Sequence, residues 1–559
     1  MSEEQQSNGH LQNNDNTVNG HLDNSEKTAI QVDGNGATTY LAIDGDLKAG
    51  NGKLSQPYPY ADGEKGVTSQ PPKSVTLQLC VAVLSAIMGS FQFGYNTGVI
   101  NAPETQIKSF LNMTHYNRTG SAMKDVTITS LYALIVSIFA VGGVVGGLAA
   151  GWWADFFGRK FGMILNNIIG IAACVMMYLS RTAMSYEMVI VGRLLVGICC
   201  GLFTGLTPMY LSEISTPSTR GALGVLHQLG TVTGLLASQI LGFPEILGNK
   251  HYWNLLLGLG VSPCILQLLS MPLCPESPRF LLITKGREHQ ARKALQSLRG
   301  IPDVSSEIEE MKSECAAGTK EDKVSIFGLF RKRSLRMPLV ISIVMQLSQQ
   351  FSGINAIFYY SFTLFKQAGL AETTSAHATS GVGATMILMT LITVPLMDRV
   401  GRRSLHLLGL GGMFIFSVLI TLCLSLTYLA DWLRVGNIVV SLLYVVFFAI
   451  GPGSIPWLIV SELFPQGPRP AAMSVSVLVN WVANFTVGYS FPYMQSGLGD
   501  FSFLPFTVLL GLFFLFTLKF VPETKNKTIE EITQNWRTDK RQDAVFEQHV
   551  STADEKNRL

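Results

Sequence analysis

Charge is what this sequence has least of. Only 14% of its 559 residues are Asp, Glu, Lys or Arg, whereas 48% are hydrophobic before its 53 glycines are counted. Soluble proteins usually have roughly 25% charged residues. A chain with so few charges cannot cover the surfaces of several water-soluble domains. The composition therefore excludes an ordinary soluble protein and indicates a chain whose main solvent is lipid.

Charged residues are absent from twelve long windows of 18 to 30 residues each. About 20 apolar residues are enough to cross the hydrocarbon core of a bilayer as a helix. The sequence therefore predicts an all-α polytopic membrane protein with twelve spans. The windows are 74–103, 126–154, 161–180, 194–212, 221–244, 251–275, 337–365, 373–397, 404–430, 435–461, 470–499 and 501–518.

Signals for several other functions are also missing. No basic cluster is dense enough for nucleic acid, and no polar segment carries a phosphate-binding or nucleophile signature. We therefore expect no enzyme, no cofactor, no metal and no obligate protein partner. None of the eight cysteines falls in a predicted outer loop, so a disulfide framework is not expected. Residues 1–76 lack the apolar core of a signal peptide and predict a disordered tail.

The basic residues predict how the chain crosses the membrane. Thirteen Lys and Arg lie from Arg279 to Arg336, and the positive-inside rule places that stretch in the cytosol. Both termini are then cytosolic, and two sequons, at Asn112 and Asn117, fall in the first outer loop, where glycosylation is expected. The predicted divisions are a tail 1–76, a six-helix half 77–274, a cytosolic linker with short helices 275–336, a second six-helix half 337–521 and a cytosolic tail 522–559.

Three motifs occur twice with nearly one offset. Gly158-Arg159-Lys160 recurs as Gly401-Arg402-Arg403, and 401 − 158 = 243. Glu213 recurs as Glu462, with 462 − 213 = 249, and Pro275-Glu276 recurs as Pro522-Glu523, with 522 − 275 = 247. The repeats indicate two related six-helix halves, which is the architecture of a secondary transporter with its site between them.

These motifs resemble the sugar porter family of the major facilitator superfamily, and within it the animal facilitative glucose transporters of the type one to four group. The resemblance runs from about residue 76 to 532. It implies a major facilitator fold in the plasma membrane and facilitative transport of D-glucose and similar hexoses by alternating access. The motifs that carry it are Gln92–Gly98, Pro275–Arg279, Gln346–Gln350, Ser352–Asn355, Gly451–Gly453, Pro456 with Trp457, and Pro522–Lys525.

Amide side chains inside the windows are the candidate substrate ligands. An amide both donates and accepts hydrogen bonds, which suits the hydroxyls of a hexose, although the same amides could instead join helix to helix. The resemblance assigns sugar contact to most of the predicted site. That site comprises Gln228, Gln349, Gln350, Asn355, Trp457, Asn480, Trp481 and Asn484. The tripeptide Gln346-Leu347-Ser348 predicts a preference for glucose over fructose, through one more amide and one hydroxyl on the cavity side.

Two further groups of residues are predicted to control access to the site. Glycines and prolines loosen helices, and they interrupt the seventh and tenth windows. The predicted gating residues are Gly353, Tyr359, Tyr360, Gly451, Pro452, Gly453 and Pro456. The resemblance also implies salt bridges between the halves in the outward-open state, unless these charges are only a topology signal. The residues are Arg159, Glu213, Arg220, Glu276, Arg279, Arg402, Arg403, Glu462, Arg469 and Glu523.

Three alternatives for function differ in coupling. Proton-driven relatives have an Asp where this chain has Asn96, near Arg193, and no window contains a carboxylate. The sequence therefore favours a passive uniporter over a proton-coupled symporter. A sugar receptor without transport is a third interpretation. Met386 and Ala449 replace an Asn and a Glu that are common in the family, which leaves the hexose range open.

Overall fold

The structure is a computed structural model that describes part of the chain in two units. The described residues are 28–32, 38–42, 76–216, 219–318, 324–427, 429–430, 432–465, 467–525, 527 and 531–532. Within the unit Met1–Thr68, β1 (Thr28–Val32) pairs antiparallel with β2 (Thr38–Ala42). This hairpin corrects the prediction of a disordered tail for those ten residues. Apart from Thr76, the rest of that prediction lies outside the described residues.

The second unit, Ser69–Leu559, begins with eight helices. They are α1 (Leu77–Gly98), α2 (Glu104–Thr119), α3 (Asp125–Phe157), α4 (Arg159–Leu179), α5 (Tyr186–Ile214), α6 (Arg220–Leu241), α7 (Trp253–Gly258) and α8 (Val261–Ser270). The hydroxyl of Thr76 starts α1 by accepting a hydrogen bond from the N–H of Leu79 at 3.1 Å, the usual role of an N-cap. The α2 helix was not predicted, because its polar sequence lies in the outer loop between two charge-free windows.

The linker and the second half supply the remaining helices. The linker has a π-helical turn (Phe280–Thr284), α9 (Glu288–Arg299), α10 (Ser305–Gly318) and α11 (Ile326–Arg331). The second half has α12 (Arg333–Gln350), α13 (Ile354–Gln367), α14 (Glu372–Val400), α15 (Arg402–Ser425), α16 (Trp432–Ile450), α17 (Ile455–Leu463), α18 (Arg469–Leu498) and α19 (Leu504–Phe520). Short 3₁₀ turns lie at Met271–Leu273 and Gly499–Phe501.

The helices coincide with the twelve charge-free windows. Nine helical stretches among the described residues are long and apolar enough to cross a membrane, and α19 is a shorter apolar helix. The other two windows correspond to α6 and to the interrupted pair α12 and α13. The predicted fold of twelve helical spans is therefore confirmed.

Two pairs of helices join the halves. The α3 helix packs along α18, and α6 packs along α14. A Cβ added at Gly143 of α3 would lie only 2.5 Å from the ring of Trp481 on α18, so the small residue allows the indole to reach the helix. Trp481 is 4% exposed and its ring centroid is 5.8 Å from that of Phe139. This indole belongs to the contact between the halves.

Candidate functional site

The seventh and tenth spans are both interrupted, and the two breaks are tied together. Gly353 separates α12 from α13 with a φ of +87°, a left-handed conformation that favours glycine. Residues 451–454 separate α16 from α17. The Gln349 amide nitrogen donates to the carbonyl oxygens of Pro452 at 2.9 Å and Gly453 at 2.7 Å. A side chain of one broken span therefore satisfies backbone groups that the other break leaves free, as a membrane environment requires.

Beside this tie lies a cluster of five amides, which we call the amide cluster: Gln346, Gln349, Gln350, Asn355 and Asn480. Asn480 Nδ2 donates to Gln346 Oε1 at 2.7 Å and to Gln349 Oε1 at 2.6 Å. Gln350 Nε2 donates to Asn480 Oδ1 at 2.9 Å, and Asn355 donates to Gln350 Oε1. Each of the five is buried. The cluster unites α12, α13 and α18 through hydrogen bonds that ligand hydroxyls could replace one for one.

Two tyrosines extend the polar surface along α13. The Tyr359 hydroxyl donates to Asn484 Oδ1 at 3.0 Å, and the Tyr360 hydroxyl donates to the carbonyl oxygen of Gly488 at 2.8 Å. Both bonds run from α13 to α18 within the second half. The structure thus brings Asn484 and both predicted gating tyrosines close to the amide cluster in sequence and on the same pair of helices.

The other predicted substrate residues lie outside this cluster. Gln228 on α6 and Trp457 on α17 are half-buried. Trp481 packs between the halves, so its surroundings are aromatic and glycine-rich. Ser348 corrects the tripeptide hypothesis, because its hydroxyl lies 3.2 Å from His406 Nε2 on α15 and does not join the amides. Only Gln346 of the tripeptide belongs to the amide cluster.

A buried arginine lies in the first half. Arg193 has no solvent exposure; its Nη1 donates to the carbonyl oxygen of Asn96 at 2.8 Å and its Nε to that of Ile135 at 3.2 Å. The guanidinium also lies 4.6 Å from the centre of the Phe139 ring. Arg193 Nη2 and Asn96 Oδ1 are buried without a hydrogen-bond partner among the described residues. Carbonyl groups and an aromatic face therefore hold this cation where a proton-driven relative has a carboxylate.

The first copy of the repeated motif folds into a compact charged cluster at the linker end of the first half. The backbone N–H groups of Arg159 and Lys160 donate to Glu276 Oε1 at 3.1 Å and 3.0 Å. Arg159 Nη2 donates to Glu213 Oε1 at 2.9 Å, and the Ser277 hydroxyl donates to Glu213 Oε2. Burial raises the pKa of the Glu276 carboxyl, and the N–H groups of Lys160, Ser277 and Arg159 act against that rise.

The second copy repeats this geometry closely. The N–H groups of Arg402 and Arg403 donate to the two Glu523 oxygens at 2.8 Å and 3.1 Å. Arg402 Nε donates to Glu462 Oε1 at 3.1 Å, and the Thr524 hydroxyl donates to Glu462 Oε2. We call the two groups the first and second charged clusters. The internal repeat that the sequence predicts is therefore also a structural repeat.

The salt bridges close within each half and not between the halves. Among the described residues, Glu213 and Glu276 contact only first-half partners, and Glu462 and Glu523 contact only second-half partners, in the hydrogen bonds given above. The remaining predicted members lie elsewhere: Arg279 pairs with Glu314 at 3.1 Å, Arg469 Nε donates to the Phe464 carbonyl oxygen at 3.1 Å, and the side chain of Arg220 lies outside the described residues. The inter-half bridges implied for an outward-open state are thus not formed in this state.

The halves are instead joined at the opposite end, which we call the far end. The linker end of α1 is fixed by the Thr76 hydroxyl, which donates to the Leu298 carbonyl oxygen of α9 at 2.7 Å. Beyond the other end of α1, Asn101 Nδ2 donates to the Phe358 carbonyl oxygen at 2.9 Å, and the Phe362 N–H donates to Asn101 Oδ1 at 3.1 Å.

A second bond at the far end involves a buried carboxylate. The Thr363 hydroxyl donates to Glu104 Oε2 at 2.5 Å, and Lys108 Nζ lies 2.6 Å from Glu104 Oε1. Together with the Asn101 bonds this forms the far-end junction, between α13 and the start of α2. The structure is therefore closed at the far end, while the charged clusters at the linker end are separate. Sequence reasoning missed Asn101 and Glu104, although both are polar residues directly after a charge-free helix.

The predicted glycosylation sites and departures from the family have clear positions. Asn117 is exposed on α2, whereas Asn112 is half-buried and its Oδ1 accepts a hydrogen bond from the Met123 N–H at 2.9 Å. Met386 and Ala449 are buried, with 3% and 4% exposure. All eight cysteines are free. The described part of the chain has no group of three or more His, Cys, Asp or Glu that could hold a metal ion.

Known proteins share both the sequence and the fold. The family model described as "Sugar (and other) transporter" matches residues 82–536. The facilitated glucose transporter member 3 of Canis lupus familiaris is 48% identical over 83% of this chain and 93% of its own. Member 1 of Gallus gallus is 46% identical over 83% of this chain and 94% of its own.

Solved structures of one bacterial transporter have the same fold. A partially occluded inward open conformation of the xylose transporter XylE from E. coli has a TM-score of 0.69, with 24% identity over 81% of this chain and 100% of its own. The proton:xylose symporter XylE bound to 6-bromo-6-deoxy-D-glucose has a TM-score of 0.66, with 25% identity over 82% of this chain and 99% of its own. The repeated halves, the interrupted spans with their amide cluster, and these similarities together show that this chain belongs to the sugar transporter family of the major facilitator superfamily.

Proposed function

We propose that this chain is a facilitative carrier of D-glucose and similar hexoses that works by alternating access. The amide cluster is the observation that carries the proposal. Five buried amides on three helices hydrogen-bond mainly to one another, beside two broken spans that can bend. Relatives that are nearly half identical are named facilitated glucose transporters, which supports the same substrate class here.

The geometry suggests how sugar would be bound. Amide-to-amide bonds, such as that from Gln350 to Asn480, can open and be replaced by bonds to hydroxyls with little net change. Gln228, on the opposite half, would complete the site from α6, and Trp457 would supply an aromatic face on α17. A net hydrogen bond contributes about 0.5–1.5 kcal/mol. A few such exchanges leave a site of about millimolar affinity, or roughly −4 kcal/mol, which permits release.

Release and re-entry require the halves to move relative to each other. In the state described above, the far-end junction is closed and the charged clusters are separate. The reverse state would break the bonds of Asn101 and Glu104 and would bring the charged clusters of the two halves together. Gly353 and the break at residues 451–454 would let α13 and α17 bend as this happens. The predicted gating roles of Tyr359 and Tyr360 fit their bonds to α18.

A proton-coupled symporter is the second candidate, because a solved structure with the same fold is a proton:xylose symporter. Asn96 argues against it, since an amide cannot exchange a proton with Arg193 nearby. No charge-free window contains a carboxylate that could alternate in charge. We therefore propose uniport without coupling.

The proposed setting is the plasma membrane. The linker end, with its thirteen Lys and Arg from Arg279 to Arg336, would face the cytosol together with both termini. The far end would face outward, which places Asn112 and Asn117 where glycosylation occurs. Of the two, Asn117 is the more exposed.

Counterflow of labelled sugars in proteoliposomes tests the proposal, with and without an inward acid gradient. We expect labelled D-glucose to enter vesicles preloaded with D-glucose, L-glucose to fail, and the pH gradient to leave the plateau unchanged. Fructose should compete only at higher concentration if Gln346 acts as a selectivity element. Accumulation driven by external acid would establish a symporter, and binding without counterflow would establish a receptor.

A further inference from the structure

The α11 helix is a short element fixed to the bundle by one side. The Gly328 N–H donates to the Ser325 hydroxyl at 3.2 Å, which caps its start. Leu329 has no solvent exposure and belongs to the same apolar core as Leu339 and Ile341 of α12. The helix also packs on the start of α18. Its inner face is therefore pinned to the second half.

The outer side of α11 is apolar and uncovered. Phe327 is 87% exposed, Phe330 52% and Ile326 43%. Because Leu329 points inward, the bundle cannot cover these side chains without releasing its own core contact. Two exposed aromatic residues on a six-residue helix are unusual outside a membrane-spanning segment. They call for a neighbour that is apolar on at least one side.

Positive charge follows these aromatics directly. Arg331, Lys332, Arg333 and Arg336 lie within six residues of one another, and residues 324–371 contain no Asp or Glu. Arg331 and Lys332 are exposed. Arg336 Nε donates to the Phe330 carbonyl oxygen at 2.8 Å, which holds the basic run close to the aromatic side chains. The neighbour must therefore carry negative charge beside its apolar part.

We propose that residues 326–336 form a membrane-surface anchor that binds anionic phospholipid headgroups. The α12 helix starts at Arg333 and enters the bilayer from there, so α11 lies at the level of the headgroups. Phe327 and Phe330 would insert at the boundary between headgroups and acyl chains, as aromatic residues do in interfacial helices. Arg331 and Lys332 would bind the lipid phosphates and carboxylates, as juxtamembrane basic segments do.

Another occupant is an acidic segment of this chain or of a partner protein. Residues 1–76 contain ten acidic residues against five Lys, so charge alone fits a segment of that kind. The large exposed area of Phe327 and the position at the end of a membrane span favour lipid. The anchor does not depend on the substrate, so it can stand or fall separately from the proposed transport.

The test places an indole in the anchor of the full chain. The Phe327→Trp variant is reconstituted in phosphatidylcholine vesicles that contain either brominated phosphatidylserine or brominated phosphatidylcholine, and wild-type emission from the seven native Trp is subtracted. We expect the introduced indole to be quenched by both lipids, more strongly by brominated phosphatidylserine, and to be shielded from aqueous iodide. Retained thermal stability shows that the variant is folded.

Charge variants on the same background test the headgroup contacts. Arg331→Gln with Lys332→Gln should reduce the preference for phosphatidylserine by about fivefold for each cation at low ionic strength. Arg287→Gln with Lys293→Gln, which removes two cations elsewhere in the linker, should leave that preference unchanged. Equal iodide quenching in vesicles and in water would overturn the anchor. Shielding that persists in detergent without phospholipid and disappears at high salt would overturn it in favour of an acidic protein segment.

Discussion

Gln349 has two roles at the residue scale. Its nitrogen ties the broken tenth span to α12 through Pro452 and Gly453, and its oxygen accepts from Asn480 within the amide cluster. Asn355 has only the bond to Gln350. One amide therefore supports the backbone and the proposed sugar site together, whereas the other belongs to the site alone.

This difference predicts two distinct mutant phenotypes. Gln349→Leu leaves two carbonyl oxygens and the Asn480 nitrogen with fewer partners, at a cost of about 1–3 kcal/mol for each buried group left unpaired. We expect it to lower thermal stability and to reduce glucose uptake by about tenfold or more, since 1.4 kcal/mol is a factor of ten. Asn355→Leu should lower uptake similarly with a smaller loss of stability.

Uptake in proteoliposomes and thermal unfolding in detergent measure the two effects. Gln495→Leu is the matched control, because Gln495 donates to Gln367 at 2.7 Å near the surface and lies far from the amide cluster. Normal uptake by both site variants would show that sugar binds elsewhere.

Asn96 gives a second prediction at this scale. Its side-chain oxygen has no hydrogen-bond partner among the described residues, and Arg193 Nη2 has none either. An Asn96→Asp carboxylate would lie near a buried cation that lacks a full set of acceptors. We expect glucose exchange by Asn96→Asp to vary with pH between about 5 and 8, where wild-type exchange is flat. Exchange measured across that range decides it, and a flat profile for the variant would mean that the introduced carboxylate stays ionised throughout and takes no part in transport.

At the element scale, each charged cluster depends on one turn. Gly158 has φ +86° and ψ 176°, and Gly401 has φ +104° and ψ 161°. This region of backbone space is open to glycine almost alone. A Cβ at Gly158 would lie 2.6 Å from Glu276 Oε2, and one at Gly401 would lie 2.7 Å from Glu523 Oε2. The same glycine thus lets the same carboxylate approach two backbone N–H groups in both halves.

We predict that Gly158→Ala and Gly401→Ala each destabilise the protein by about 1–3 kcal/mol through backbone strain, with a further loss from the displaced carboxylate. Gly286→Ala is the matched control, since Gly286 also has a positive φ, +64°, but no atom within 4 Å of an added Cβ. Thermal unfolding should show a clearly larger shift for the two cluster glycines than for the control. Equal shifts for all three would leave strain as the whole effect and would remove the carboxylate contact from the explanation.

The sequence predicts the long elements well and the local geometry less well. The charge-free windows locate all twelve spans, because lipid imposes composition over about 20 residues at a time. The α2 helix has no such signal, since it is polar and packs against α3. Ser348 was misplaced because a one-residue step turns a helical side chain by about 100°, so a tripeptide cannot present all its side chains to one cavity.

The candidate site was predictable in part for a related reason. Buried amides stand out in an apolar sequence, and this indicated Gln349, Gln350, Asn355 and Asn480. Their pairing could not be predicted, because it depends on the relative position of α12 and α18, which are far apart in the sequence. The roles of Gln228, Trp457 and Asn484 in binding sugar remain predictions.

At the scale of the whole molecule, the two ends differ in what joins the halves. The far end has direct bonds through Asn101 and Glu104, and the linker end has charged clusters that are complete within each half. An internally satisfied cluster gains little from meeting its counterpart, because exposed ion pairs contribute about 0–1 kcal/mol. The far-end junction therefore sets much of the preference for the state described here.

We predict that Asn101→Ala shifts the molecule toward opening at the far end. The change removes two bonds to α13 that are worth about 0.5–1.5 kcal/mol each, which corresponds to a shift of roughly fivefold to a hundredfold in the equilibrium. Hydrogen exchange of the backbone amides in α13 should accelerate, while that of α19 should not change. Unaltered exchange in α13 would assign the closed state to the α3–α18 and α6–α14 contacts instead.

The mutual pairing of the five amides has a thermal consequence. An empty site with unpaired amides would release considerable heat on binding a hexose, since every contact would be a new one. Here each contact made with a ligand replaces one already present, so bonds lost and bonds gained nearly cancel. Calorimetry on the purified carrier should therefore register only a faint signal on adding glucose, even at saturation. In that sense the protein carries its own imitation of the sugar when no sugar is bound.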